Sequence, residues 1–243
     1  MILLPAIDIL DGKAVRLAKG SFDDQTAYDP DPLTAALRWA DAGARALHVV
    51  DLDGARSGAP KNLEQVRRIT GAVDVPLQLG GGLRGSDAVR AAIGAGAARV
   101  VLGTAAYHDV DFIDTAVAEL GDRVVVSLDA RDGFLATAGW TEQTRIPVES
   151  VIERMSHRGV RRFVYSSIER DGMLAGPDLE GATRVAQAVK GSFVYSGGVS
   201  SLGDLRSLAA LRQVNLRGVI VGKALYEARF TVEEAQRVLD GEP

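Results

Sequence analysis

Eight short runs rich in Val, Ile and Leu alternate with eight longer stretches of helical spacing from one end of the chain to the other. The apolar runs are ILLPAID (2–8), ALHVVDL (46–52), VPLQLG (75–80), ARVVLG (98–103), RVVVSLD (123–129), RRFVYSS (161–167), SFVYSG (192–197) and RGVIVG (217–222). They are nearly continuous rather than alternating, as strands are when a parallel sheet is covered by helices on its faces. Helical spacing is read over 31–43, 62–71, 86–96, 111–121, 148–159, 179–191, 202–214 and 231–241. Gly43, Gly71, Gly121, Gly159 and Gly191 stand where left-handed C-caps would end several of these helices. Eight strand–helix units without a linker predict one α/β domain over 1–243, a (β/α)8 TIM barrel, a fold that typically takes ~250 residues. An open doubly wound sheet would need a Gly-rich dinucleotide turn after its first strand, and PAIDILDG is not one.

The chain also repeats itself at half length. PAIDILDGKAV (5–15) aligns with VSLDARDGFLA (126–136), which sets Asp8 over Asp129, Asp11 over Asp132 and Gly12 over Gly133. LQLGGGLRGSDAVR (77–90) aligns with FVYSGGVSSLGDLR (193–206), and VVLGTAA (100–106) with GVIVGKAL (218–225), so Gly81-Gly82 match Gly197-Gly198 and Gly103 matches Gly222. A period near 120 residues is too long for a solenoid. It predicts two (βα)4 halves, with the first and fifth strands opposed across the barrel axis.

Composition narrows the function. The 28 Lys and Arg against 32 Asp and Glu leave a net charge of -4, without the basic surplus of a nucleic-acid binder. Cysteine is absent, which excludes disulfides, thiolate metal sites and Cys nucleophiles, and His48, His108 and His157 lack metal-ligand spacing. No apolar run approaches the ~20 residues of a membrane span, and MILLPAIDILDGK has no signal-peptide flank. The expectation is a cytoplasmic protein that binds neither nucleic acid nor membrane and works as a monomer.

Working groups of such barrels sit at the C-terminal ends of strands. SGGV (196–199) and VGKA (221–224) follow the seventh and eighth strands, where exposed backbone N–H groups and a helix N-terminus suit a phosphate. Gly197, Gly198, Gly222 and Lys223 are the candidates there. The repeat predicts a second site from Gly81, Gly82, Gly103, Thr104 and Arg84, hence a small-molecule ligand with a phosphate at each end. Asp8 and Asp129 then face its middle, and a pair of carboxylates suits general acid–base work when one is held protonated; the alternative is that each Asp caps a loop. Ser166 could bond a carboxylate or substrate oxygen. Arg16, Trp140 and Asp171 lie on the loops after the first, fifth and sixth strands and are candidate substrate contacts. His48 reads as packed core and Asp51 as a second strand-end carboxylate of less certain use.

PAIDILDGKAVRL, LHVVDLDGA, QLGGGLR, VLGTAA, SLDARDG with a following GW, IERDGMLAGPD, SGGVSS and GVIVGKALYE together closely resemble the phosphoribosylformimino-aminoimidazole carboxamide ribotide isomerases of histidine biosynthesis. The resemblance covers essentially the whole chain. It implies a half-barrel-duplicated fold and an Amadori rearrangement of an aminoaldose to an aminoketose on a substrate with two phosphates, with no metal or organic cofactor. It further implies Asp8 as general base, Asp129 as general acid, and Ser166 at a position where the family usually has Thr. Two relatives compete. The cyclase of the same pathway starts Cys-Leu-Asp and has a Lys where this chain has Arg16. The bifunctional actinobacterial isomerase, which also takes phosphoribosylanthranilate, resembles the chain in SGGVSSLGDLR but carries an Arg before the Gly-Trp of the fifth loop, where Ala138 stands here. A non-catalytic phosphate-ester binder on the same barrel is the remaining alternative.

Overall fold

Each apolar run becomes a strand, and the elements between them lie on its flanks. The computed structural model describes residues 1–18, 21–29, 31–137, 139–140 and 142–242, with backbone alone at 16–18 and 21–29. The first half contains β1 (Ile2–Leu10), β2 (Lys13–Ala18), β3 (Ser21–Asp29), α1 (Pro32–Asp41), β4 (Leu47–Asp51), α2 (Leu52–Ser57), α3 (Leu63–Ala72), β5 (Leu77–Gly80), α4 (Ser86–Gly94), β6 (Arg99–Leu102), α5 (Thr104–His108) and α6 (Val110–Leu120). The second contains β7 (Val124–Arg131), β8 (Phe134–Thr137), β9 (Glu142–Pro147), α7 (Val148–His157), β10 (Arg162–Ser167), α8 (Leu179–Ala188), β11 (Ser192–Ser196), α9 (Leu202–Ala210), β12 (Leu216–Val221), α10 (Lys223–Tyr226) and α11 (Val232–Asp240).

Eight of the strands pair in parallel in the order β1, β4, β5, β6, β7, β10, β11, β12, and β12 returns to β1 through Ile2 to Gly218 and Pro5 to Val221. The expected (β/α)8 barrel is therefore closed, which leaves β1 and β7 diametrically opposed. Successive side chains on a strand point to opposite faces. One set, including Leu4, Ala6, Val101, Val125, Val164 and Ile220, fills the lumen. The other, including Leu3, Ile7, Val49, Leu79, Val126 and Phe163, meets the helices in the main core.

Both halves extend their first strand into a hairpin; the sequence suggests one after the first strand, whereas the segment after the fifth reads there only as a loop. Leu10 pairs with Lys13 and Arg131 with Phe134, so two residues turn each corner. Those residues are Asp11-Gly12 at φ 49 and 71, and Asp132-Gly133 at φ 50 and 80. Positive φ at both central positions is the type I′ turn that matches strand twist, and Asp-Gly favours it. The half-length repeat is thus a repeat of backbone conformation.

Three of the five expected left-handed caps do not form. Gly43 (φ 86) and Gly159 (φ 88) are left-handed, whereas Gly121 ends α6 in another conformation, at φ 53 and ψ -123. Gly71 instead lies inside α3, which ends at the next residue, Ala72, with extended Val73 as its C-cap. Gly191 is not left-handed; a Cβ there would collide with the backbone of Arg161, its carbonyl carbon 2.8 Å away. Close approach of two strand entries, not helix termination, requires that glycine.

Barrel closure is tied by one buried amide. Gln236 of α11 is 5% exposed, accepts from the Leu3 N–H at 3.0 Å and donates to the Met1 carbonyl at 3.0 Å. Beside it, Arg45 grips Asp240 with two hydrogen bonds of 2.9 and 2.6 Å. Gln236→Leu keeps the volume but strands the Leu3 N–H, at a cost of about 1–3 kcal/mol for a buried unpaired donor. Urea unfolding is expected to show a lower midpoint at unchanged m-value.

Candidate active site

Asp8 and Asp129 end strands on opposite sides of the barrel. On β1, Asp8 shares its parity with lumen residues Leu4 and Ala6, and on β7 Asp129 shares its parity with lumen residue Val125. Both are therefore inward-facing at the C-terminal mouth, and both are only partly exposed. The structure thus brings the two sequence-predicted carboxylates to one mouth.

Asp129 is the better defined of the two. Ser127, two residues back on the same face, donates to its Oδ1 at 2.8 Å. Ser166 is its register partner on β10 and Trp140 reaches it from the loop after β8; both hydrogen-bond its carboxyl. Burial nevertheless pushes this carboxyl above the ordinary value of 3.8, against the three donors, each of which favours the ionised form. Ser166 is 6% exposed, so the rotamer freedom that a missing methyl would confer is taken up by its bond to Asp129. Trp140, a candidate substrate contact in the sequence, is a donor to the acid, and its backbone is held at φ 75.

The glycine pairs adopt matching conformations, Gly81 at φ 102 and Gly197 at φ 111, Gly82 at φ 72 and Gly198 at φ 79. Steric demand explains both. A Cβ on Gly81 would lie 2.7 Å from the Asp51 carbonyl carbon, and one on Gly197 2.6 Å from the Ser167 oxygen. A Cβ on Gly82 would strike the Gly54 backbone, and one on Gly198 would sit 2.8 Å from Arg170 Cβ. Each pair packs under the loop of the preceding strand, which a side chain would lift. In the second half the result is a small cleft bounded by Asp171, Gly172, Ser196, Gly197, Gly198, Gly222 and Lys223. Gly103 and Gly222 are the N-caps of α5 and α10, and neither helix start is closed by a side-chain cap. Thr104 and Lys223 are the first residues of those helices.

Other candidates have definite partners. Arg84 does not point freely into the mouth: its Nη2 donates to the Ala55 carbonyl at 3.0 Å and its guanidinium lies against Gly58. Lys223 Nζ donates to the Gly172 carbonyl at 3.1 Å and so joins the last loop to the one carrying Asp171. The Arg16 side chain lies outside the described residues, as do Lys19 and Ala138. Asp51 closes its own loop, accepting from the N–H groups of Gly54, Lys61 and Asn62 and from the Asn62 amide. His48, read as packed core, lies in the packed lumen, in register with Ala6 and 2.8 Å from the Gln78 amide. Sequence reading missed Ser127 and Gln78, although a polar residue interrupting an apolar strand at the parity of a strand-end Asp is a usable signal. Among the described residues no group of three His, Asp or Glu is placed to hold a metal, and no helix is long and apolar enough to cross a membrane.

Residues 2–231 match the family described as histidine biosynthesis protein. The chain is 42% identical to the 1-(5-phosphoribosyl)-5-((5-phosphoribosylamino)methylideneamino)imidazole-4-carboxamide isomerase of Bacillus pumilus, over 98% of this chain and 97% of the relative. Isomerases of the same name from Desulforudis audaxviator and Roseiflexus castenholzii are 44% and 45% identical, over 97% of this chain and 90% and 98% of theirs.

The raised pKa of Asp129 has a thermodynamic signature. A carboxyl whose folded-state pKa exceeds its unfolded value stabilises the fold fully below the unfolded pKa, and that stability is lost as pH rises through the folded value. Asp129→Asn escapes the loss. The variant is expected to match the parent below pH 3.8 and to exceed it in urea midpoint at pH 7.

Proposed function

This chain belongs to the histidine biosynthesis protein family, and from that premise we propose that Asp129 and Asp8 are the acid and base of an aldose–ketose isomerase. The protein is the isomerase of histidine biosynthesis, acting on a phosphoribosyl sugar-phosphate. The Amadori rearrangement needs a proton delivered to the ribose ring oxygen and another removed from C2. Asp129 supplies the first. With its protonated form favoured by burial, it protonates the ring oxygen; the C1–O bond breaks and the amino nitrogen's lone pair forms the Schiff base. The carboxylate left behind has the Ser127, Ser166 and Trp140 donors already in place, so little reorganisation accompanies the transfer. Asp8, across the barrel, removes the C2 proton to give an enolamine, which tautomerises to the ketone.

The glycine turns of the two halves would hold the phosphates. Gly197, Gly198, Gly222 and Lys223 border one end, and Gly81, Gly82, Gly103 and Thr104 the other. Two grips fix the sugar between the opposed carboxyls, which converts binding at the ends into orientation at the middle. Asp171 and Trp140 border the same mouth, whereas Arg84 supports the first turn by packing its neighbouring loop. The observation that carries the reading is the buried, three-donor carboxyl of Asp129 facing the Asp8 strand across a closed barrel.

Asp8→Asn and Asp129→Asn are each expected to lower kcat by about 10²–10⁴-fold, with KM changed little because the end grips remain. The high-pH limb of the parental kcat profile is assigned to Asp129 and should vanish in Asp129→Asn. Phosphoribosylanthranilate is expected to give a far lower kcat/KM than the histidine-pathway substrate, since Ala138 offers no cation for its carboxylate. Parental turnover in either Asn variant would refute the assignment.

A further inference from the structure

The loops after β4 and β10 are counterparts in the half-length repeat, and they are closed in different ways. In the first half Asn62, the N-cap of α3, is bonded back to Asp51 at the loop's own start. The repeat puts Ser167 in place of Asp51 and Asp178 in place of Asn62, so the second half has no carboxylate at the start of its loop. It has instead two tyrosines where the first half has Val49 and Leu79.

Tyr165 and Tyr195 are register partners on β10 and β11, 2% and 0% exposed, with ring centroids 6.0 Å apart. The Tyr165 hydroxyl donates to Asp178 Oδ2 at 2.8 Å, and the Tyr195 oxygen accepts the Asp178 N–H at 2.7 Å. Asp178 Oδ1 meanwhile caps α8 through the Gly181 N–H at 2.9 Å. A Cβ on Gly181 would strike the Tyr165 hydroxyl, so the glycine makes room for this contact. Burial keeps both phenols protonated well beyond neutral pH. The residue following each tyrosine, Ser166 or Ser196, faces the mouth.

The loop between these anchors rests on the phosphate turn. Its start is held by the Asp171 N–H on the Ser167 carbonyl at 3.0 Å, and its far arm by the Gly176 N–H on the Gly198 carbonyl at 2.9 Å. The first loop residue is also tied to a strand, by the Ile168 N–H on the Ala130 carbonyl at 3.1 Å, and the far end by Asp178 on the two tyrosines. Resting on the isomerase reading for what occupies the cleft, we propose that Tyr165 and Tyr195, acting through Asp178, are positioning residues that seat loop 168–178 over Gly197 and Gly198 and so set the affinity for the phosphate at that end. They touch no substrate; they fix the height of the loop wall.

Tyr195→Phe and Tyr165→Phe in the full chain test this. The expected result is a rise of about tenfold in KM and in the inhibition constant of inorganic phosphate, the equivalent of ~1.4 kcal/mol, with kcat within about twofold, the pattern of lost uniform binding. Amide hydrogen exchange should accelerate over 171–178 and stay parental in the other helices and strands. Asp178→Asn is the second variant should a Phe variant fail to fold: its Oδ1 still caps α8, but its amide cannot accept the Tyr165 proton. Parental KM and exchange, a kcat loss at constant KM, or exchange rising throughout the barrel would each overturn the proposal. Exchange and direct phosphate binding need no turnover, so a parent without isomerase activity would sink the functional reading and leave these readouts to decide the positioning role.

Discussion

Hydrogen-bonded return of β12 onto β1 is the constraint on which everything else in this molecule rests. A parallel sheet of eight strands has two edges until that pairing is made, and a closed ladder has none. Closure fixes which strands face each other, so two carboxylates at the ends of the first and fifth become opposed without any loop having to place them. It also makes the lumen a packed interior rather than a pore: the apolar layer of Leu4, Ala6, Val125, Val164 and Ile220 lies beneath the mouth. The mouth is thereby a shallow, walled depression with a low-dielectric floor. The helix that seals the seam contributes a single buried polar side chain, Gln236, whose amide spans the first strand and the last helix.

Duplication of a half-barrel supplies paired features, and the two halves keep some and replace others. The Asp-Gly hairpins and the double-glycine turns coincide in φ within about ten degrees. These are positions where backbone meets backbone, and no side-chain change elsewhere can relieve a collision there. Loop closure, by contrast, depends on side-chain hydrogen bonds, which can be exchanged for others of equal reach. Asp51 with Asn62 in one half and Asp178 with two tyrosines in the other perform the same closure by different means. The anchors differ too: a strand-end carboxylate closes the first loop, whereas tyrosines on two adjacent strands hold the end of the second.

This division explains what could be read from the sequence. Strand order, barrel closure, the repeat and the inward placement of Asp8 and Asp129 follow from apolar runs and matched special residues, which are local signals. The glycine pairs were legible as important but their cause was not: the carbonyls of Asp51 and Ser167 that exclude a Cβ are remote in sequence from Gly81 and Gly197. Gly71 and Gly191 show the same limit, since a glycine near a helix end has the same one-letter signature whether it caps the helix, lies within it or admits a neighbouring strand. Arg84 read as a free cation beside a phosphate turn, yet its fork is spent on Ala55 and Gly58. A side chain of that length finds its partner in three dimensions, and sequence spacing does not carry the choice.

The environment of Asp129 reconciles two demands that ordinarily conflict. A general acid must hold its proton until the substrate is in place, which asks for a site hostile to charge. It must then exist as a carboxylate long enough for the next step, which asks for a site hospitable to charge. Burial at the mouth meets the first demand, and donors from Ser127, Ser166 and Trp140 meet the second. Burial outweighs the donors in the free protein and pushes the pKa up; the donors limit how far it rises, so the proton can still leave. Apolar surroundings alone would make an acid too weak to protonate an ether oxygen, and donors alone would leave it ionised before the reaction began. The three donors come from three places, the same strand, the adjacent strand and the hairpin loop, so the balance is set by the closed barrel as a whole rather than by any one segment.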